Sequence, residues 1–265
     1  MKKKTIITII ALTLAGITFG QEGTFIDVIG FGQYTNIKND FDVNYGPGKG
    51  LGFDYSLPQT PSYGGSILFA KMTETYVGFK TGLRFSNYSQ FTSSKVELGD
   101  RDSVAFDALM NIKQISAPIM ANFSISSGAT TDRVYFSMGF GFQINYLFGA
   151  NYNLTNDRDY PTVTTFEFSD YYYRLGASYL LALELKIELG KKKRTYLIAG
   201  INYDKTIGGI EKPDQGYGAD VPRELTLPLG VLKDYNYDVP GDRVGYKTKN
   251  EALAFKLGVS IRLSK

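Results

Sequence analysis

The most restrictive feature of the sequence is a stretch of roughly fifteen residues, 134–148, that reads VYFSMGFGFQINYLF. Bulky apolar side chains occupy every second position from Val134 to Phe148, and the residues between them are mostly small or polar. Strict alternation predicts a β-strand with one apolar face and one polar face. Strands in soluble proteins usually run about five or six residues, so this one requires a setting in which a long strand has one face in an apolar environment.

Seven further segments predict strands. The alternation is equally clear in TYVGFKTGLRFSNY (75–88), YYYRLGASYLLALELKIEL (171–189) and ALAFKLGVSIRLSK (252–265). Weaker patterns predict strands at about 24–35, 64–74, 109–125 and 195–204. Pro118 lies in the third of these weaker segments, and because proline removes one ladder hydrogen bond we expect a bulge or an edge-like irregularity there.

The first strand is ambiguous in phase. If Gly30 and Gly32 face the barrel interior, then Asp27 must face lipid near a rim or lie at a bulge. If the strand is shifted, Asp27 faces inward instead and supplies a carboxylate to the interior. The sequence leaves both arrangements open.

The predicted connections alternate in length. Short turns are expected at about 73–75, 126–132 and 190–194, and long loops at 36–63, 89–108, 149–171 and 205–250. This layout is typical of outer-membrane barrels with short periplasmic turns and long extracellular loops. The sequence therefore predicts an all-β fold, a transmembrane antiparallel up-and-down β-barrel of eight strands, with both termini periplasmic. The alternative is a soluble lipocalin-like barrel with the two faces exchanged, which strand length, export and loop asymmetry disfavour.

The first 20 residues have the pattern of a secretory signal peptide. Lysines at 2–4 precede an apolar run from about Thr5 to Ile17, and a small residue, Gly20, stands at the expected cleavage site. The expected domains are thus a signal peptide at 1–20 and an outer-membrane barrel at 21–265. Three of the 29 lysines and arginines lie in the signal, which leaves 26 basic residues against 26 acidic ones. A mature chain with net charge near zero gives no support to nucleic-acid binding.

Several segments resemble one family of outer-membrane proteins. The signal that ends near Gln21, the strand ISAPIMANF after a long loop, the stretch VYFSMGFGFQINYLF and the final LAFKLGVSIRL together resemble the PorT-like barrels, within the broader OmpA-like eight-stranded barrels of Gram-negative bacteria. The resemblance covers essentially all of 21–265 and implies an outer-membrane protein, in some members one that serves type IX protein secretion. The ending Leu263-Ser264-Lys265 departs from the terminal aromatic usual in such barrels.

Charged residues on the polar faces of the strands predict a structural network in the lumen. An eight-stranded barrel has an interior just wide enough for side chains to fill, so charges there are expected to pair with one another. The predicted members are Lys80, Arg84, Arg174, Glu184, Lys186, Lys256 and Arg262. Bases exceed acids in this set, and loop acids or a shifted Asp27 are expected to supply the missing partners. An ion or proton path through these groups is the alternative.

Three tyrosines predict an aromatic layer at the periplasmic mouth. Tyr76, Tyr135 and Tyr196 each begin a strand after a short turn, and each shares its face with inward glycines. The alternative is a looser girdle at the level of the lipid headgroups.

No pattern in the sequence predicts a cofactor, a metal site or catalysis. Residues 39–50 open like a calcium loop with Asp40, Asp42 and Asn44, but Tyr45 and Leu51 replace the required glycine and glutamate. The chain contains no histidine and no cysteine, and the His-dependent mechanisms of barrel enzymes are therefore excluded. The expected partners are outer-membrane lipid and an envelope protein complex.

The leading expectation for function is a non-enzymatic structural or accessory subunit of such a complex, PorT-like and serving protein secretion. One alternative is a free-standing surface protein that binds a ligand, host or phage through its loops. Another is a narrow channel for small solutes. The long segment 205–250, with its apolar centre at 225–232, is expected to dock on the protein's own loops or on a partner.

Overall fold

The architecture was derived from a computed structural model. It describes residues 23–38, 54–56, 60–73, 77–97, 103–126, 134–156, 163–167, 173–190, 194–208 and 249–264. The signal segment, the calcium-like stretch 39–50 and the centre of the loop at 205–250 lie outside these residues. In the described part of the chain, no helix is long and apolar enough to span a membrane.

Ten strands form one antiparallel sheet. They are β1 (Gly23–Lys38), β2 (Asp54–Ser56), β3 (Thr60–Met72), β4 (Val77–Glu97), β5 (Ser103–Ser126), β6 (Val134–Asn156), β7 (Val163–Glu167), β8 (Leu175–Leu189), β9 (Thr195–Ile207) and β10 (Lys249–Ser264). Each of the eight long strands pairs with two neighbours, and β10 returns to pair with β1. The sheet therefore closes on itself, and the predicted eight-stranded up-and-down barrel is confirmed.

The wall of the barrel is apolar outside and polar inside. Side chains such as Phe140, Phe142 and Ile144 on β6 are about half exposed, whereas the inward Gln143 is fully buried. The other strands continue this outer belt, for example with Leu83, Leu181, Phe255 and Leu257. A soluble barrel has the opposite arrangement, since exposed apolar surface on this scale is unfavourable in water. The outer wall thus matches a lipid environment, in which only a closed sheet satisfies all backbone hydrogen bonds.

The structure resolves the phase of the first strand. Gly30 and Gly32 face outward, and Asp27 faces inward, where it is fully buried. Of the two arrangements that the sequence left open, the structure has the one in which Asp27 supplies a carboxylate to the lumen. This phase is favourable because it places the Asp27 carboxylate among lysines in the lumen rather than in the apolar belt.

The sheet is irregular at Pro118, as expected, but the irregularity is a gap in the pairing rather than a bulge. The ladder between β4 and β5 has no pairing at Gly82–Pro118 and Leu83–Ala117. The pairs on either side, Thr81–Ile119 and Arg84–Ser116, keep the same register. Gly82 adopts φ of 154° at this point, a backbone conformation open to glycine. The register shift of β5 lies elsewhere, between Lys113 and Gln114 in the pairing with β6.

Three strands extend furthest beyond their predicted bounds, and all three extend toward the same end of the barrel. β4 runs to Glu97, β5 begins at Ser103, and β6 continues to Asn156, so much of the expected loops at 89–108 and 149–171 is strand. The short strands β2 and β7 pair with these extensions. We call this end the loop end. The opposite end, where the Thr73 N–H donates to the Val77 carbonyl oxygen and β8 ends at Leu189, is the turn end.

Candidate functional site: two charged clusters in the barrel lumen

The first charged cluster lies in the lumen toward the turn end and consists of Asp27, Lys80, Glu184, Lys186 and Lys256; we call it the lysine cluster. Lys80 Nζ lies 2.9 Å from Asp27 Oδ2 and 2.6 Å from Glu184 Oε2. Lys256 Nζ lies 2.7 Å from Glu184 Oε1, and Lys186 Nζ lies 3.4 Å from Asp27 Oδ1. All five residues are at most 5% exposed. Three ammonium groups thus share two carboxylates.

The strand register explains how these side chains meet. Gly200 on β9 stands opposite Glu184 on one side and opposite Lys256 on the other. A Cβ atom at Gly200 would lie 3.0 Å from Lys256 Cε, so the missing side chain leaves room for the lysine to reach across β9. Lys256 also donates to Asn202 Oδ1 at 2.7 Å. The ammonium of Lys256 therefore has two acceptors, Glu184 within the cluster and Asn202 beside it.

The second charged cluster lies nearer the loop end and consists of Gln33, Arg84, Tyr88, Gln143 and Asp204; we call it the arginine cluster. An Arg84 guanidinium nitrogen lies 2.7 Å from Asp204 Oδ2, and the Tyr88 hydroxyl donates to Asp204 Oδ1 at 2.9 Å. The guanidinium also donates to the side-chain oxygens of Gln33 at 3.3 Å and Gln143 at 3.4 Å. Because β4 and β9 are four strands apart in an eight-stranded barrel, the Arg84–Asp204 pair crosses the lumen from wall to wall.

An aromatic ring supports the arginine. The Arg84 guanidinium carbon lies 4.6 Å from the centre of the Phe31 ring, a cation–π arrangement. Phe31 pairs in register with Gly64, and a Cβ atom at Gly64 would overlap both the Phe31 ring and the backbone oxygen of Phe85. Gly64 thus provides the space in which the ring lies under the guanidinium.

We expect Gly64→Ala to destabilise the barrel by about 1–3 kcal/mol, because the added methyl group overpacks a filled interior against backbone that cannot rotate away. The measurement is equilibrium unfolding in urea, followed by circular dichroism in lipid vesicles. Gly32→Ala is the matched control on the neighbouring strand, since a Cβ atom there meets nothing within 4 Å. Equal stability of the two variants would contradict the role assigned to Gly64.

The turn end of the lumen contains packed aromatic rings. The Tyr196 ring lies 5.9 Å from the Phe25 ring and 5.9 Å from the Tyr135 ring, both edge to face. Tyr196 is 1% exposed and joins Phe25 in a buried apolar cluster. Tyr76 lies outside the described residues. The structure thus brings two of the three predicted tyrosines together and adds Phe25, which sequence reasoning did not include.

The seven predicted network residues occupy different levels of the barrel. Lys80, Glu184, Lys186 and Lys256 meet in the lysine cluster, whereas Arg84 belongs to the arginine cluster. The Arg262 guanidinium carbon lies 5.8 Å from the centre of the Phe25 ring at the turn end. Arg174 lies at the opposite end, where its carbonyl oxygen accepts from the Leu147 N–H at 2.8 Å.

Two carboxylates in the clusters were missing from the predicted network. Asp27 was left open by the phase of its strand, and Asp204 was not considered, although it shares the parity of the inward Tyr196 and Gly200 on β9. Extending the period-two count along β9 to Asp204 would have found it. Among the described residues, no three side chains of the histidine, cysteine, aspartate and glutamate types converge on a common metal position.

Comparisons with known proteins give structural neighbours only. No family model matches the chain, and no curated protein matches it. Among solved structures, the chain is similar to the outer membrane protein OprG from Pseudomonas aeruginosa, with 11% identity and a TM-score of 0.43 over 94% of this chain and 100% of that one. It is similar to Ail, the attachment invasion locus protein of Yersinia pestis, with 8% identity and a TM-score of 0.35 over 92% of this chain and 100% of that one. A third match is the translocator domain of the autotransporter NalP from Neisseria meningitidis, with 10% identity and a TM-score of 0.23 over 98% and 95% of the two chains.

Proposed function

We propose that the protein is a non-conducting, non-enzymatic outer-membrane barrel that serves as a structural or accessory subunit of an envelope complex. The observation that carries this proposal is the pair of buried charged clusters, which fill the lumen at two levels. A barrel closed in this way works through its outer wall and its loop end rather than through its interior.

The clusters are arranged as braces. The Lys80–Glu184 and Lys186–Asp27 contacts join strands three apart in the barrel, and Arg84–Asp204 joins strands four apart. Moving one of these side chains aside leaves its partner charge buried and unpaired, which is strongly unfavourable. This argues against the alternative of a narrow solute channel.

The loop end provides the surface for a partner. Phe85 is the last strongly exposed apolar residue of β4 among the side chains that the structure describes. β4 continues for twelve residues beyond it, which is about 40 Å of strand. β5 and β6 pair along the same extension, with β2 and β7 at its two sides. This projecting sheet offers backbone edges on which an extended segment of another protein can add a strand.

The remaining parts of the proposal come from the sequence. We infer that residues 1–20 are a signal peptide, that 21–265 form the mature barrel, and that the turn end with both termini faces the periplasm. The PorT-like resemblance then points to protein secretion as the process served by the complex.

The first measurement is the mass of the native assembly, extracted from membranes in mild detergent and analysed by native mass spectrometry. We expect a species larger than the barrel with companions in fixed ratio. In a variant whose residues 91–109 are replaced by a two-residue Asn-Gly turn, the barrel is expected to fold and the companions to be lost. A lone monomer would contradict the complex and favour the free-standing surface protein.

Conductance in planar bilayers tests the closed lumen separately. We expect the purified protein to give no steady ion current, because both clusters obstruct the axis. A current that changes in the variants Lys80→Gln or Arg84→Gln would contradict the closed lumen and favour the channel.

A further inference from the structure

The projecting sheet at the loop end has a free edge on β7. β7 pairs with β6 from Asn151–Glu167 to Thr155–Val163, and it has no second neighbour among the strands that the structure describes. We propose that this edge takes up an extended, basic segment of the partner protein as an added β-strand. The inference rests on the proposed function and names the edge and the partner chemistry of that complex.

The barrel wall leaves the outer edge of β7 uncovered. β7 lies on the same side of β6 as β8, and the next strand of the wall on that side is β9. The last residue of β9, Ile207, stands opposite Ile144 on β6, through Ala177 on β8. β7 begins to pair with β6 at Asn151, seven residues or about 23 Å further along β6. No strand within the described ranges lies beside β7 on its outer side, so an added strand has room there.

The corresponding edge of β6 is occupied along most of its length. β8 pairs with β6 as far as Tyr146, the Leu147 N–H donates to the Arg174 carbonyl oxygen at 2.8 Å, and β7 pairs with β6 from Asn151 onward. The backbone groups that remain for a partner on this side therefore lie on β7. Strand addition to a sheet edge satisfies such groups with main-chain hydrogen bonds.

β7 is better suited to strand addition than β2, which forms the opposite edge of the projecting sheet. β2 has only three residues, DYS, and very short edge strands resist pairing with another chain. β7 has five residues, VTTFE, of which four are β-branched or aromatic, and such residues favour strands. It contains no lysine or proline, the residues that commonly protect an exposed edge.

The projecting sheet is acidic. Its strands comprise residues 54–56, 86–97, 103–112, 149–156 and 163–167, which include four acidic residues and one basic residue. The segments that flank β7 in the chain, 157–162 and 168–172, add three acidic residues and one basic residue. A basic partner segment is therefore favoured over an acidic one, because opposite charges speed association and like charges oppose it.

The test measures how a labelled ten-residue peptide of alternating lysine and valine binds to residues 21–265 in nanodiscs of zwitterionic lipid, followed by fluorescence anisotropy. We expect saturable binding. A peptide with proline in place of valine keeps the charge but cannot form a strand, and its binding is expected to be at least about tenfold weaker. A peptide with glutamate in place of lysine keeps the alternation and is also expected to bind at least about tenfold more weakly.

Two variants of the chain locate the binding edge. Replacement of β7, residues 163–167, by Gly-Ser-Gly-Ser-Gly is expected to weaken binding of the lysine–valine peptide at least about tenfold. Replacement of β2, residues 54–56, by Gly-Ser-Gly is the matched control and is expected to leave binding unchanged. Both variants are expected to fold, since β2 and β7 lie outside the eight strands of the barrel wall, and circular dichroism in lipid vesicles checks this.

Three results would overturn the added strand. They are the absence of saturable binding up to about 1 mM peptide, equal binding of the lysine–proline peptide, and equal binding by the β7 variant. The native assembly separates this inference from the proposed function. Companions that stay on the β7 variant overturn the added strand but keep the complex, whereas a lone monomer of the unaltered chain overturns both.

Discussion

Glu184→Gln is expected to destabilise the folded barrel by about 3–5 kcal/mol, the usual cost of removing one partner from a buried ion pair. Glu184 accepts from Lys80 at 2.6 Å and from Lys256 at 2.7 Å, and all three side chains are buried. The substitution keeps the shape of the side chain but leaves three lysines facing the single carboxylate of Asp27. The measurement is the free energy of unfolding in urea, obtained by circular dichroism in lipid vesicles.

The matched control is Glu251→Gln at the rim of the same barrel. Glu251 lies 2.5 Å from Lys205, and the Lys205 side chain is 42% exposed, so water screens this pair and little change is expected. The double variant Glu184→Gln with Lys256→Met restores the balance of charge and is expected to recover part of the lost stability. Equal stability of Glu184→Gln and Glu251→Gln would show that the lysine cluster does not brace the barrel.

Leu181→Arg is expected to destabilise the barrel by about 2–4 kcal/mol, the cost of a basic side chain at the middle of the bilayer on the outer face of a barrel. Leu181 lies halfway along the outward face of β8 and is 53% exposed. The same substitution at Leu175, at the end of that face, is expected to cost only about 0–1 kcal/mol because the side chain reaches the interface.

Both arginine variants are compared by unfolding in vesicles, so that the lipid is the same. The pair of variants tests where the outer wall lies, because the two leucines share a strand and a face and differ in depth. In water, an arginine at either exposed position would be tolerated equally. Equal unfolding free energies would therefore contradict a lipid-facing belt and return the soluble barrel as the better interpretation.

The strands and their faces follow from local sequence because a strand repeats every two residues. The alternation of side chains along each strand is enough to assign Phe140 to the outer wall and Lys80, Glu184 and Lys256 to the lumen. Parity was uninformative for the first strand, in which Gly30 and Gly32 satisfy either face. There the position of Asp27 decided the phase, since its carboxylate is stable only beside the lysines of other strands.

The lengths of β4, β5 and β6 could not be predicted in the same way. Beyond Phe85 the sequence of β4 loses its alternation, because a strand outside the lipid belt has no apolar face to maintain. In β6 the alternation continues at Tyr152 and Leu154, but the register shift at Phe148 separates this stretch from the lipid-facing one. The extension of the three strands depends on pairing with one another, which is a property of the sheet rather than of any single segment.

The sequence by itself therefore determined the strand order, the closed sheet and the side of the wall for the charges on clearly alternating strands, such as Lys80 and Glu184, since these depend on local periodicity and on the need to pair every backbone group in lipid. Only the tertiary structure decided which inward charges meet. Arg84 pairs with Asp204 and not with Glu184 because the stagger between strands around the barrel brings those side chains to one level. That stagger is the sum of the registers of all eight strand pairs, and it cannot be derived from the sequence of any single strand.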